Sequence, residues 1–317
     1  GPAQPYLDYI MLCLIAYAPK DAKVHESLKV SNVKNLILEA DTYTITNSYL
    51  PLENFKNLRK LKIFQFDKIN NLDFLSKNKN LVEIEIIYCE ELQNVDGLIN
   101  CINLKEIRIH SCNQLQNLDG LVNCVDLEKI EINVRKLQNL DVLKNCVDLK
   151  EITINWCYQL QNLDGLINCV NLEKIRIWGN NQFQNLDGLM NYKKLKEITI
   201  SRCDTLQNLN VLSNCKKLKT LTLRECGSIN SIKDLQSIKS IENIIFNECE
   251  NLKNLDGLDK SSSLEVVTII KCTSLTDVSA LYNLKSLKKL QLKSSGIKKA
   301  QLPKEIQSIT EAVFSYN

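Results

Sequence analysis

From Leu58 onward one short pattern recurs, and a chain written this way can bury its apolar residues only by stacking copies of itself. Leu81–Ile86 (LVEIEI), Leu104–Ile109 (LKEIRI), Leu127–Ile132 (LEKIEI) and Leu149–Ile154 (LKEITI) share L-x-x-I-x-I. Leu58, Leu81, Leu104, Leu127, Leu149, Leu172, Leu195, Leu218, Ile241, Leu264, Leu287 and Ile309 open successive copies, 23 residues apart except for two steps of 22. A period of that size lies in the range of solenoids.

Each copy has two halves. An alternating run such as Glu173–Ile177 suits a strand with one face buried, and the series Leu160, Leu163, Leu166 places an apolar residue at every third position. Three-residue spacing fits tight 3-10 or irregular turns better than a long α-helix, so the outer wall is expected to be thin and parallel strands to line the inner one. A single coil cannot bury its leucines, whereas stacked neighbours share one core. Residues 33–317 are therefore read as one solenoid of about twelve repeats. Residues 1–32 are read as an N-terminal helical cap, with Ile10, Met11, Leu14 and Ile15 on one helical face over the first coil. Gly1-Pro2 reads as the scar of a cleaved tag. No comparable cap is expected after Phe314–Asn317, which suggests a piece of a longer protein. The apolar stretch Tyr9–Ala18 is about half of the ~20 residues that a membrane-spanning helix needs.

The consensus L-x-x-I-x-I-x-x-C-x-x-L-Q-N-L-D-G-L-x-N-C resembles the leucine-rich-repeat superfamily over residues 33–317. Its repeat length and recurring cysteine look like the BspA-like class, and its L-x-x-L-x-x-L outer series is similar to internalins and to the phosphatase-regulating type. Where BspA-like repeats carry I-G-x-x-A-F this chain has L-D-G-L, a departure that weighs against a surface-adhesin role. The resemblance implies an α/β fold: a right-handed, curved horseshoe solenoid with parallel strands on the concave face, short 3-10 or irregular turns on the convex face, and use as a scaffold for protein binding.

Several columns repeat with the coils. Cys89, Cys112, Cys157, Cys203, Cys226, Cys249 and Cys272 form one, and Cys101, Cys124, Cys146, Cys169 and Cys215 another on the outer wall. Equivalent side chains in stacked coils point the same way about 4.8 Å apart, whereas a disulfide needs converging Cβ vectors. The thiols are expected to be buried and reduced. No C-x-x-C pair occurs to seed a metal site. Asp96-Gly97, Asp119-Gly120, Asp164-Gly165, Asp187-Gly188 and Asp256-Gly257 form a further column, read as aspartates capping the outer turns beside glycines that permit positive φ or close approach. The glycine-aspartate signature of calcium-binding β-rolls is absent. Asn94, Asn117, Asn139, Asn162, Asn185 and Asn208 are expected to satisfy turn backbone as well.

Catalysis finds little to draw on, and the chain is read as no enzyme. There are two histidines, His25 and His110, no G-x-x-x-x-G-K-S/T phosphate loop, and thiols placed by packing rather than beside a base. No metal or other cofactor is expected. The balance of 40 basic and 37 acidic residues, a net charge of +3, lacks the field of a dedicated nucleic-acid or membrane binder. The basic cluster Lys285, Lys288, Lys289, Lys293, Lys298, Lys299 and Lys304 reads as a solvated end; without interleaved aromatics it argues against nucleic acid. Reduced thiols and the absence of Asn-x-Ser/Thr acceptors favour a cytoplasmic protein, with a secreted or cell-surface one as the alternative if a signal peptide has been removed.

The non-apolar places between and just after the last two apolar residues of L-x-x-I-x-I face the inner wall. They vary from coil to coil: Glu85, Ile87 and Tyr88; Arg108 and His110; Glu131 and Asn133; Thr153, Asn155 and Trp156; Arg176 and Trp178; Thr199, Ser201 and Arg202; Thr222 and Arg224. The two tryptophans fall in adjacent coils, beside arginines, and aromatics with arginine are the usual energetic centres of interfaces. Tyr88, Arg108, His110, Trp156, Arg176, Trp178, Arg202 and Arg224 are accordingly the candidate partner-binding residues. For the tryptophans, edge packing stands as the competing reading. The expected function is a monomeric protein-protein interaction module whose protein partner the sequence does not name; a surface adhesin and the targeting arm of a larger enzyme complex are the other two classes.

Overall fold

The computed structural model describes residues 32–39, 52–190 and 192–312. They fall in two compact units, Gly1–Leu149 and Lys150–Asn317. The expected cap helix with Ile10, Met11, Leu14 and Ile15, and the segment Phe314–Asn317, lie outside the described residues.

In the first unit five strands follow chain order: β1 (Asn35–Glu39), β2 (Lys60–Phe64), β3 (Glu83–Ile87), β4 (Glu106–His110) and β5 (Lys129–Asn133). Each pairs in parallel with the next, so that Lys62 faces Glu85, Glu85 faces Arg108 and Arg108 faces Glu131. The second unit repeats the arrangement with β6 (Glu151–Asn155), β7 (Lys174–Trp178), β8 (Glu197–Ser201), β9 (Thr220–Arg224), β10 (Asn243–Asn247), β11 (Val266–Ile270), β12 (Lys289–Lys293) and β13 (Thr310–Ala312). A six-residue helix, α1 (Lys304–Ile309), leads into β13. The near-constant period brings the same repeat position back beside itself from β6 to β12, whereas β13, reached through α1, is shifted by two residues, so that Thr310 rather than Ala312 lies beside Leu290.

Within a strand the second and fourth residues are buried and the first, third and fifth partly exposed, as in β3 and β4. Strand alternation does this, and the β-branched isoleucines at the buried places suit a packed pleat. One coil shows the closure of the core: Leu81, Ile84, Ile86, Leu92, Val95 and Leu98 have no exposed surface. The outer wall consists of 3-10 turns of three to five residues, such as Asp96–Leu98 and Asp119–Leu121 in the first unit and Asp187–Leu189 and Asn210–Asn214 in the second.

The capping of these turns differs from the expectation. The residue at the turn's N-cap is apolar, Val95 or Leu118, and gives no side-chain cap. The cap comes from the asparagine two residues before the aspartate: Asn94, Asn117, Asn139, Asn162 and Asn185 each accept, at Oδ1, the backbone N–H of Asp96, Asp119, Asp141, Asp164 and Asp187 at 3.0–3.1 Å. An Asx turn of this kind forms because the short amide side chain reaches its own backbone two residues on. The following glycine serves close approach: a Cβ on Gly97 would lie 1.8 Å from the carbonyl oxygen of Leu72 in the preceding coil.

Both cysteine columns are interior. The twelve described cysteines are all free and buried. Cys112 and Cys226 donate weak S–H bonds to carbonyls of the preceding coil (Ile86 at 3.9 Å, Ile200 at 3.6 Å) and of the residue two before them. Cys124 does the same with Cys101 (3.4 Å) and Leu98 (3.8 Å). Burial pushes the thiols of Cys101 and Cys124 up to about 12, because an ion loses its hydration there.

Candidate functional site

The strand face carries every residue singled out as a partner contact, but in two different backbone settings. Arg108, His110, Arg176, Trp178 and Arg224 sit on strands. Tyr88, Trp156 and Arg202 lie one residue past a strand's end in left-handed backbone, with φ of 57°, 54° and 52°. The same position is left-handed at Gln65, Ser111, Glu225, Glu248, Lys271 and Ser294, and is taken once by glycine, Gly179 at φ 72°. Such a conformation is costly for a residue with a Cβ. The offsetting interaction is a bond to the neighbouring coil: Tyr88 N–H donates to His110 O (3.0 Å), Trp156 N–H to Trp178 O (2.7 Å) and Arg202 N–H to Arg224 O (2.8 Å). Turning the backbone there throws the side chain outward at the end of the strand.

In the first unit the face is a charge ladder. Arg108 lies between two acids, with Nη1 2.5 Å from Glu85 Oε1 and Nε 3.4 Å from Glu131 Oε2, and Lys62 continues the row 3.4 Å from Glu85. His110 Nε2 is buried, 3.1 Å from Glu131 Oε1, without a well-formed hydrogen bond. Tyr88 is 46% exposed and its ring meets Phe64 edge-on at 5.6 Å. Arg108 is thus neutralised by its own neighbours, while Tyr88 remains open to a partner.

In the second unit the aromatic residues gather. Trp156 and Trp178 have ring centroids 6.3 Å apart, and exposed Tyr158 lies 6.1 Å from Trp156. Trp178 is 40% exposed. Trp156 is half-buried, because its indole lies across Gly179 of the next coil: a Cβ there would be 2.1 Å from its Cε3. Arg202 stacks over the same indole at 5.6 Å and is clamped by both carboxylate oxygens of Glu225 (2.9 and 3.0 Å). Arg176 and Lys174 share Glu197, at 3.2 and 2.6 Å. Arg224 is exposed, and no described acid lies within ion-pair distance of it.

Two expected wall positions turn out to be covered. Ser201 and Thr222, read as water-facing, are only 1% and 5% exposed. In the register Ser201 lies between Trp178 and Arg224, and Thr222 between Thr199 and Ile245. Sequence reading also passed over Gly179 and Tyr158. The glutamate partners were signalled by a spacing of about one repeat between opposite charges, as from Glu85 to Arg108 to Glu131. The indole over a glycine carried no such signal.

Among the described residues no group of three or more His, Cys, Asp or Glu side chains is placed to hold a metal ion, and no helix is long and apolar enough to cross a membrane. The basic cluster of the second unit is partly compensated: Lys288 pairs with Glu265 (2.7 Å), Lys289 with Glu311 (3.0 Å), and Lys299 donates to Thr310 O (2.6 Å).

The fold is shared with an internalin (inlF) from Listeria monocytogenes str. 4b F2365, at 16% identity over 96% of this chain and 93% of that one, with a TM-score of 0.69. The leucine-rich repeat domain of the type III effector XCV3220 (XopL) is also similar, at 18% identity over 76% of this chain and 80% of that one, with a TM-score of 0.52. No curated protein matches the sequence significantly. The family model of the BspA type leucine rich repeat region matches residues 98–196, 121–225 and 193–317, in six copies. These matches span more than half of the sequence, and they show that the chain belongs to the BspA type leucine-rich-repeat family.

Proposed function

We propose that this protein is a protein-protein interaction module that binds a folded partner on its strand face and has no catalytic role of its own. The observation that carries the reading is the cluster of Trp156, Trp178, Tyr158, Arg202 and Arg224, in which large aromatic surface and a cation stand open to solvent on strands, and just past their ends, that pack on a buried core. Aromatic and arginine anchors on a rigid scaffold lose little entropy on binding and supply most of an interface's energy. Tyr88 offers a further aromatic contact in the first unit; Arg108 and His110, engaged with Glu85 and Glu131, serve to hold that face in shape. Lys288, Lys289 and Lys299 near the end of the second unit are engaged locally, which favours protein over nucleic acid as the ligand. Twelve buried free thiols suit a reducing compartment, and we place the protein in the cytoplasm as a monomer.

The test is affinity capture from host extract on immobilised wild type beside Trp156→Ala/Trp178→Ala. A partner retained by wild type and lost from the double variant supports the reading. Equal retention of every captured protein by both overturns it.

A further inference from the structure

The outer cysteine column ends at Cys215, and in the coils that follow the wall opens into a hollow. Two residues before the opening Ile241, Leu264 and Leu287 stand Lys239, Ser262 and Lys285. The short serine between two long side chains leaves an open cavity of about 440 Å3, flanked by Lys239 and Lys285 from coils two strand spacings, or roughly 10 Å, apart. Lys260 lines it as well. All three lysines are exposed, and no described acid lies within ion-pair distance of them. The column just past the openings behaves otherwise, since Glu242 and Glu265 answer Lys219 and Lys288 there at 2.8 and 2.7 Å. Asn283, also exposed on the hollow, is a second sign. At its place in other coils Asn100, Asn123 and Asn214 donate Nδ2 to a carbonyl of the preceding coil, of Ser76, Ile99 and Met190, at 3.2, 3.1 and 3.3 Å. Asn283 makes no described side-chain hydrogen bond, so its amide remains open to an incoming group.

The donors define the occupant. Three ammonium groups, the exposed Ser262 hydroxyl and the Asn283 amide reach one space from several coils, which suits a tetrahedral phosphate with acceptors on every side better than a planar carboxylate. Asp259 lines the same hollow. Its carboxylate repels a phosphate and accepts from hydroxyls, so a ligand that satisfies the whole lining carries hydroxyl groups beside its phosphate. The space is that of a small-molecule pocket, for which ~300–1,000 Å3 is usual. We propose that this hollow binds a phosphorylated polyol, with the phosphate on Lys239, Lys260 and Lys285 and a polyol hydroxyl donating to Asp259. A free sugar or inositol phosphate and the inositol-phosphate headgroup of a lipid share this chemistry. The site uses none of the strand-face residues and stands independently of the partner reading above.

The test uses the full chain with two probes: inositol monophosphate in a calorimetric titration, and phosphatidylcholine vesicles carrying phosphatidylinositol monophosphate in a sedimentation assay. Saturable binding is expected; binding of the free probe assigns a soluble ligand, and binding of the vesicles alone assigns a lipid headgroup. Lys239→Gln/Lys285→Gln is expected to weaken the bound probe by about tenfold or more, since each lysine gives up a charge-assisted bond. Lys233→Gln/Lys271→Gln removes as much charge from lysines paired with Asp256 and Glu248, and is expected to leave the affinity nearly unchanged. All four lysines are exposed, so both double variants keep their melting temperature and a lost signal is a lost contact. Asp259→Asn is expected to make inorganic phosphate a better competitor against the probe; an unchanged ratio overturns the polyol assignment. No saturable binding of either probe, or the same affinity in both double variants, overturns the proposal.

Discussion

Replacing Gly179 by alanine isolates the tryptophan cluster from the rest of the fold. The new Cβ would sit 2.1 Å from Cε3, 2.5 Å from Cζ3 and 2.8 Å from Cδ2 of Trp156. Ordinary van der Waals contact begins near 3.4 Å, so the ring has to retreat by about 1.3 Å (3.4 − 2.1), and it can, because only its side chain blocks the way. Two costs follow. Left-handed backbone at φ 72° disfavours alanine by ~1–2 kcal/mol, and driving an indole off its rotamer adds ~0.5–1.5 kcal/mol, about 2–3 kcal/mol in all. The displaced ring also leaves Arg202, now 5.6 Å from its centroid. Urea unfolding followed by circular dichroism reads the stability. Fluorescence reads the cluster directly, since Trp156 and Trp178 are the chain's two tryptophans. The expected result is a folded protein, less stable by about 2–3 kcal/mol, with altered emission. Gly97→Ala is the contrast: its Cβ meets a backbone carbonyl at 1.8 Å that cannot retreat, and the stability loss exceeds that of Gly179→Ala. Unchanged emission in Gly179→Ala, or a loss as large as that of Gly97→Ala, would refute the account of the indole over the glycine.

Three further outcomes are expected. Asn117→Ala removes the acceptor for the Asp119 N–H and costs ~1 kcal/mol, whereas Asp119→Asn stays within ~0.5 kcal/mol; denaturant midpoints of the two variants rank the asparagine above the aspartate as the cap. Cys101 and Cys124 ionise near 12 when folded against an ordinary 9.0, so the folded state holds protons that the unfolded state releases. Stability is fully present below pH 9.0 and falls as pH rises from there toward about 12, and Cys124→Ala flattens the decline in an alkaline melting series; a flat wild-type curve over that range contradicts the assignment. Arg108→Ala removes the cation between Glu85 and Glu131 and leaves Glu85 with Lys62 alone. For pairs this open to solvent the loss is ~0.2–1 kcal/mol and shrinks in high salt; a loss independent of salt would assign Arg108 a packing role instead.

The sequence by itself determined the repeat, the strands, the turns and the burial of both cysteine columns. Each follows from a periodicity that only stacking can satisfy, and a leucine at every third place or an isoleucine at every second states its own direction. Five of the eight candidate contacts also lie on strands as alternation required: Arg108, His110, Arg176, Trp178 and Arg224. What only the tertiary structure decided is how side chains from different coils meet. That Asn117 rather than Asp119 caps its turn, that Trp156 leans over Gly179 and is partly buried, that Ser201 is buried, and that Arg224 alone among the face's arginines finds no described acid are consequences of rotamers and left-handed turns. Those choices are set by neighbours one repeat away along the chain but about a strand spacing away in space, and a linear pattern records which residues are neighbours without recording how they share the room between them.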